Sequence, residues 1–367
     1  HLSIRRQRQM CIRDRANTGD ATSALRFGAL HQALVRDELG AEPESAILDL
    51  IVQLREGKAS ERSDAAPPPR NAAADLFATS RRQTLDRQRD WLESAFGDRF
   101  VVDAGRRAAG VSVVYSAYDR LRATAVDIHI VDPSLATVAD ADRLITGLER
   151  LVTLVHPRIV PFYEVGSNAG VIFYVVARAK GESLREVLER DKQLPVHESL
   201  RIADDIAAAL VAGHEAGVLH VDLRPRFVFT DAGETSLVGM GISDALTAAI
   251  SHDQTSTALR VGSPAYQSPE QLAGDTRLDA RSDLYSLGCI LYQMLAGDVP
   301  FASTSRSLVA SGKFAGAVAP IRDRRDTVDA ELDLAVQKCL ARSPSDRYRT
   351  VAEFRAVLAR WLDVAQA

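Results

Sequence analysis

A change of pattern in mid-chain constrains the fold more than any single residue does. Short β-rich runs come first: Phe100-Val101-Val102, Val111 to Ala117 and Thr124 to Val131. Their composition and spacing predict an antiparallel sheet. After Ser183 the chain turns mainly helical, at Leu200 to His214, Ser282 to Leu295, Ala330 to Leu340 and Val351 to Trp361. A strand-rich lobe followed by a helix-rich lobe is an α+β architecture. The 367 residues leave room for one large domain and a smaller one.

The N-terminal part reads differently. Residues 1–15 resemble translated adapter read-through and are set aside as an artefact. The chain begins at His1 rather than Met, so it is read as a fragment. Residues 16–57 form a helical segment, with Leu25, Leu30, Leu34 and Leu39 on one stripe and Ile47, Leu48, Ile51 and Leu54 on the next. Gly40 and Gly57 supply the stops. Residues 58–80 are a linker around Pro67-Pro68-Pro69, and a charged helix at 81–96 leads into the main domain, 81–365. Its strand-rich lobe is expected at about 99–180 and its helical lobe at about 181–365.

Charge and cysteine content narrow the function. A net charge of -4 gives no pull toward nucleic acid or anionic lipid. No apolar run reaches the length of a membrane span and no secretory leader pattern is present, so the expected location is the cytoplasm. Cys11, Cys289 and Cys339 lack metal-ligand spacing, and the latter two sit in apolar helical stretches as expected inert thiols.

An ordered set of motifs then appears. His156-Pro157-Arg158-Ile159-Val160 is followed by Gly217-Val218-Leu219-His220-Val221-Asp222-Leu223-Arg224-Pro225 and Gly239-Met240-Gly241. Next come Gly262-Ser263-Pro264-Ala265-Tyr266, Ser268-Pro269-Glu270-Gln271 and Asp283-Leu284-Tyr285-Ser286-Leu287-Gly288, and Val299-Pro300-Phe301 closes the series. Together they resemble the bacterial serine/threonine protein kinases of the eukaryotic-like family, from about Arg99 to Leu362, and imply the bilobal protein-kinase fold. Upstream, Glu38-Leu39-Gly40-Ala41-Glu42-Pro43 resembles the last helical hairpin of the bacterial transcriptional activation domain.

The resemblance implies a chemistry that this chain has largely lost. Phosphoryl transfer needs a phosphate cradle, a Lys held by a Glu, metal-holding side chains and a base. Arg107, Ala109 and Ser112 take the three glycine positions, with Gly110 between them. His129 stands for the Lys. Asp127 and Val114 fall in the adenine pocket, where Asp127 places a carboxylate whose sign opposes a triphosphate and whose burial is costly. The helix Glu falls at Gly147, and Glu149 lies about 200° around the helix from it. Phe227 and Gly239 replace both metal ligands, and Phe229 floors the adenine pocket. Asp222 survives as a vestigial base. Removing one charge-stabilising group typically costs about 100- to 1,000-fold in rate, and several are gone.

The scaffold positions are kept. Leu151, Phe162, His220 and Met240 match the family's regulatory spine, with Asp283 as its anchor, and Glu270 with Arg347 matches an ion pair behind the activation segment. Val221 replaces the Arg that reads an activation-loop phosphate, which leaves Thr255, Ser256 and Thr257 without their usual receptor. Arg224 takes the place of the loop Lys, where it is either a surface charge or a contact for an acidic peptide or phosphate. The expectation is a pseudokinase, a signalling or scaffold module with no cofactor and no metal, acting on a protein partner and linked to transcription. DNA would be reached only through a missing upstream domain. The alternative is a weakly active kinase that uses ATP and Mg with Asp222 as base. A third possibility is a decayed gene product.

Overall fold

The computed structural model describes residues 91–92, 94–109, 112–131, 140–168, 170–250, 263–275, 277–301 and 318–364. The segments 1–15, 16–57 and 58–80, the first ten residues of the 81–96 helix, Gly110, Cys11 and Thr255 to Thr257 lie outside the described residues. The chain divides into two compact units. One takes in the described parts of His1–Glu149, Phe162–Arg178 and Ala248–Leu259; the other takes in Arg150–Pro161, Ala179–Thr247 and Arg260–Ala367.

The first unit is built on an antiparallel sheet of β1 (Phe100–Ala109), β2 (Ser112–Asp119), β3 (Thr124–Val131), β4 (Phe162–Asn168) and β5 (Val171–Ala177), in the order β1-β2-β3-β5-β4. The two-residue period of the strands splits it into two faces. Tyr115, Ala117, Val126, Ile128, Ile130, Phe173 and Val175 share a face with Leu92 and Phe100, and Trp91 and Phe96 pack against it. Phe96 meets Phe173 edge-on at 4.7 Å and Trp91 at 5.9 Å, the geometry that aromatic quadrupoles favour. Each fully buried aliphatic or Phe contributes about 1.5–3 kcal/mol, so Trp91, Leu92 and Phe96 cover this face of the sheet. The opposite face carries Ser112, Val114, Ser116, Asp127, His129 and Tyr174. Helix α1 (Ala141–Val152) starts where Asp140 accepts from the amides of Asp142 and Arg143.

The second unit is mainly helical. It holds β6 (Glu182–Ser183), α2 (Leu184–Asp191), α3 (Val196–Glu215), β7 (Val228–Asp231), β8 (Glu234–Leu237), most of α4 (Ile242–Ala249), α5 (Pro269–Ala273), α6 (Ala280–Ala296), α7 (Ala330–Cys339) and α8 (Val351–Val364). Helix ends follow the sequence chemistry. Ser183 and Ser268 close capping boxes with Glu186 and Gln271, while Asp279 and Asp329 cap α6 and α7. Helix α6 is the core: from Leu284 to Ala296 only Gln293 is not buried. Cys289 and Cys339 are buried free thiols whose pKa values burial raises, in keeping with an inert role.

The strand-rich and helix-rich halves give the α+β class expected for a bilobal fold. Helix α4 was not anticipated. It begins directly after Gly239-Met240-Gly241, where both glycines take left-handed backbone (φ +81° and +82°). Ala245, Leu246 and Ala249 are buried along it.

Candidate functional site

In the first unit Asp127, His129 and Val114 share the polar face because they are two apart or directly cross-strand: Val114 lies opposite His129 and Ser116 opposite Asp127. Val114 is fully buried. The His129 ring stacks on Tyr174 at 4.4 Å with planes 16° apart. Its Nδ1 is hydrogen-bonded to Ser112 Oγ at 3.0 Å. Burial pushes the Tyr174 hydroxyl pKa upward, and a hydrogen bond with Ser112 partly offsets this. Ser112 therefore ties together the residue in place of the Lys and the tyrosine beneath it. An imidazole fixed flat against a ring cannot act as a mobile ammonium.

Asp127 is buried, yet its charge is balanced. Ser116 Oγ donates to its Oδ1 at 2.9 Å, and Arg178 Nε lies 3.4 Å from the same oxygen, a charge pair without hydrogen-bond alignment. Arg178 Nη2 also donates to the carbonyls of Ala117 and Val126 and to Asp103. The expected cost of burying this carboxylate is thus offset internally. Neither Ser116 nor Arg178 is marked by a motif. Their roles come from strand register and from a side chain folding back from the end of β5. On α1, Gly147 takes the position of the expected acid, and Glu149 is exposed.

The second unit holds Asp222 and Phe229. Asp283 carries the catalytic-loop backbone: its carboxylate accepts from the amides of His220 and Val221, both at 2.8 Å, and meets His214 Nε2 at 2.8 Å. Burial alone would raise the Asp283 pKa, but His214, His220 and the backbone amide bring it below the usual range. Burial also lowers the His220 pKa, so the ring is neutral at pH 7. Val221 takes a left-handed backbone (φ +67°), uncommon for a β-branched residue. It is held there by Asp283 on its amide and by Gln271, whose Nε2 donates to its carbonyl at 2.6 Å.

Asp222 forms a buried ion pair with Arg224, Nη2 to Oδ2 at 3.0 Å. Downstream, the Phe227 ring tilts against His220 at 5.6 Å, and its Cδ1 lies 3.4 Å from where a Cβ on Gly239 would stand. Both positions that the resemblance assigns to metal ligands therefore converge, and they bring an aromatic edge and a bare backbone. The guanidinium carbons of Arg224 and Arg226 each lie 5.2 Å from the Phe227 centroid. Phe229 stands on β7 opposite Ser183 and Ser236. No cluster of His, Cys, Asp and Glu able to hold a metal occurs among the described residues.

The scaffold positions are well packed. Leu151, Phe162, His220 and Met240 are buried. Gly213 leaves room for the tip of Met240, and Gly241 does the same for Leu151 and Val218. Glu270 and Arg347 form a two-pronged pair at 2.7 and 2.8 Å.

Comparison with known proteins agrees with this frame. The pattern of the protein kinase domain matches residues 109–358. The serine/threonine-protein kinase PknB of Mycobacterium leprae is 36% identical over 217 residues, 58% of this chain and 34% of that protein. The probable serine/threonine-protein kinase PknB of Corynebacterium glutamicum is 31% identical over 273 residues, 72% of this chain and 42% of that protein. The chain thus spans well under half the length of these curated relatives.

Proposed function

The chain belongs to the protein kinase domain family, and within it we propose that this protein is a pseudokinase, a signalling or scaffold module that binds a protein partner and transfers no phosphoryl group. One observation carries the reading: the two metal-ligand positions meet as Phe227 against Gly239, with no side-chain oxygen between them. Magnesium needs near-octahedral oxygen ligands, and this donor set does not fit it.

The nucleotide fits no better. Asp127 is paired with Arg178, and His129 is stacked and hydrogen-bonded instead of presenting a charge to phosphate. Asp222 alone favours the second reading, a weak ATP-dependent kinase, because a carboxylate remains at the position of the base. Against that reading, the carboxylate is held in a buried ion pair with Arg224 at 3.0 Å.

The link to transcription belongs to the same proposal. It rests on residues 16–57, which lie outside the described residues. A cytoplasmic location is also part of the proposal; among the described residues no helix is long and apolar enough to cross a membrane.

Thermal-shift titration of the full chain with ATP, with and without Mg, tests the reading. A ligand at a hundred times its Kd adds about 2.7 kcal/mol to stability, which is readily seen. No Mg-dependent shift is expected. A clear one, accompanied by phosphate incorporation that Asp222→Asn abolishes, would establish the second reading instead.

A further inference from the structure

Three successive amides of the turn before Asp222 end on carboxylates from two different helices. Leu219 donates to Asp244 Oδ2 on α4 at 3.3 Å. His220 and Val221 donate to the two oxygens of Asp283 on α6, both at 2.8 Å. The two acids belong to the same compact unit, and they are unequally provided for. Asp283 is buried and also meets His214 Nε2 at 2.8 Å. Asp244 is half-buried, and its bond from the loop is the longer one.

Packing joins the same three pieces of chain. Gly241, just before α4, leaves room for Leu151 in the last turn of α1 and for Val218. Arg150, next to Leu151, donates from Nη2 to the Ala216 carbonyl at 3.5 Å. The turn at 216–221, the end of α1 and the start of α4 therefore meet around Asp244. Burial and the Asp283 charge both raise the Asp244 pKa, and Arg150 partly offsets them. Asp283 is held below the usual range by its own partners, so on acidification Asp244 takes up a proton first. His220 faces the same turn as a neutral ring, its Nε2 donating to the Val238 carbonyl at 3.2 Å.

We propose that Asp244 makes α4 a proton-operated clasp on the catalytic-loop turn, closed when this carboxyl is neutral and loosened when it ionises beside Asp283. Two ionised carboxylates repel each other across one turn of backbone, in surroundings that screen them less than water does. A neutral carboxyl still accepts from the Leu219 amide through its carbonyl oxygen, and the repulsion is gone. By linkage, an acid whose folded pKa lies above its unfolded one favours the closed fold while protonated. That advantage is lost as pH rises through the folded pKa. The clasp acts whether or not the chain transfers phosphate, and it makes the hold on α4 answer to pH.

The test is hydrogen–deuterium exchange of the full chain across pH, corrected for the intrinsic pH dependence of amide exchange. Peptides covering 216–221 and 241–249 report the clasp, and a peptide from α7 serves as control. In the wild-type chain the protection of the two clasp peptides is expected to fall as pH rises through the Asp244 titration. A single proton limits that fall to about tenfold per pH unit. Asp244→Asn, permanently neutral, should keep the acid-side protection at every pH. Arg150→Gln removes the offsetting cation and should move the midpoint of the fall to higher pH. Protection that stays level or rises over this range in the wild-type chain overturns the proposal, and so does a fall that survives Asp244→Asn. Should Asp244→Asn fail to fold, the Asp244 carboxyl carbon is titrated by NMR in the wild-type chain. A midpoint above that of Asp in an unstructured peptide supports the clasp; one at or below it refutes the clasp.

Discussion

Asp119 and Asp127 are both buried in the same sheet, and each is paired with arginine. Asp119, fully buried at the end of β2, accepts from Arg99 Nη2 at 3.1 Å, Arg122 Nη1 at 3.0 Å and the amides of Leu121 and Arg122. Burial alone would raise its pKa, but these donors more than offset that and bring it from 3.8 to about 2. An acid whose folded pKa lies below its unfolded value adds stability that is complete above the unfolded pKa, and that is lost as pH falls toward the folded one. Denaturant unfolding should therefore show stability falling between about pH 4 and pH 2, with part of that slope missing in Asp119→Asn. At neutral pH the same substitution is expected to cost about 2 kcal/mol, the scale of hydrogen bonds to a charged group. An unchanged pH slope in the variant would contradict this assignment. Asp127 shows the limit of sequence reading at this scale. Its place on the strand was legible from the two-residue period, but its partner Arg178 was not, because that pairing depends on how a side chain beyond β5 folds back.

Strands and helices were legible where periodicity and caps agree, as in α3, α6, α7 and α8, each within a few residues of its expected range. Helix α4 was not, because its eight residues are too short for a clear period and follow two glycines that normally signal a turn. Those glycines are structural necessities. A Cβ at Gly241 would collide with Leu151 and lie 2.6 Å from Val218, on a backbone at φ +82°. Gly241→Ala is expected to cost about 3 kcal/mol, from left-handed strain plus overpacking. Gly274, equally left-handed at φ +84° but with open space around it, should cost only about 1 kcal/mol when replaced by Ala. Equal losses in the two variants would refute the packing argument. The link from α5 to the C-terminal helices is tested in another way. Arg347 has no exposed side-chain surface and is held by Glu270 and by the carbonyls of Arg281, Ala341 and Arg342. Glu270→Ala strands that charge and should cost about 3–5 kcal/mol, most of it recovered when Arg347→Met is added. A double variant no better than the single one would mean that the pair adds net stability.

At the scale of the whole molecule, the protein-kinase frame could be read from the sequence motif by motif. What replaced the missing residues could not. Each unit carries its own substitutions, compensated within itself: His129 with Ser112 and Tyr174, and Asp127 with Arg178, in one; Asp222 with Arg224, and Phe227 against Gly239, in the other. Compensation of this kind makes the losses mutually independent, so mending one set leaves the other intact. Restoring the four absent residues together, as His129→Lys, Gly147→Glu, Phe227→Asn and Gly239→Asp, is therefore expected to leave the protein without Mg-dependent ATP stabilisation, because Asp127 and Arg178 still form their pair. Adding Asp127→Ala removes the carboxylate that opposes a triphosphate and releases Arg178 from it. If the adenine pocket is closed by this pair, a thermal shift with ATP should first appear in the five-fold variant. A shift already present in the four-fold variant would mean that Asp127 is no barrier to ATP.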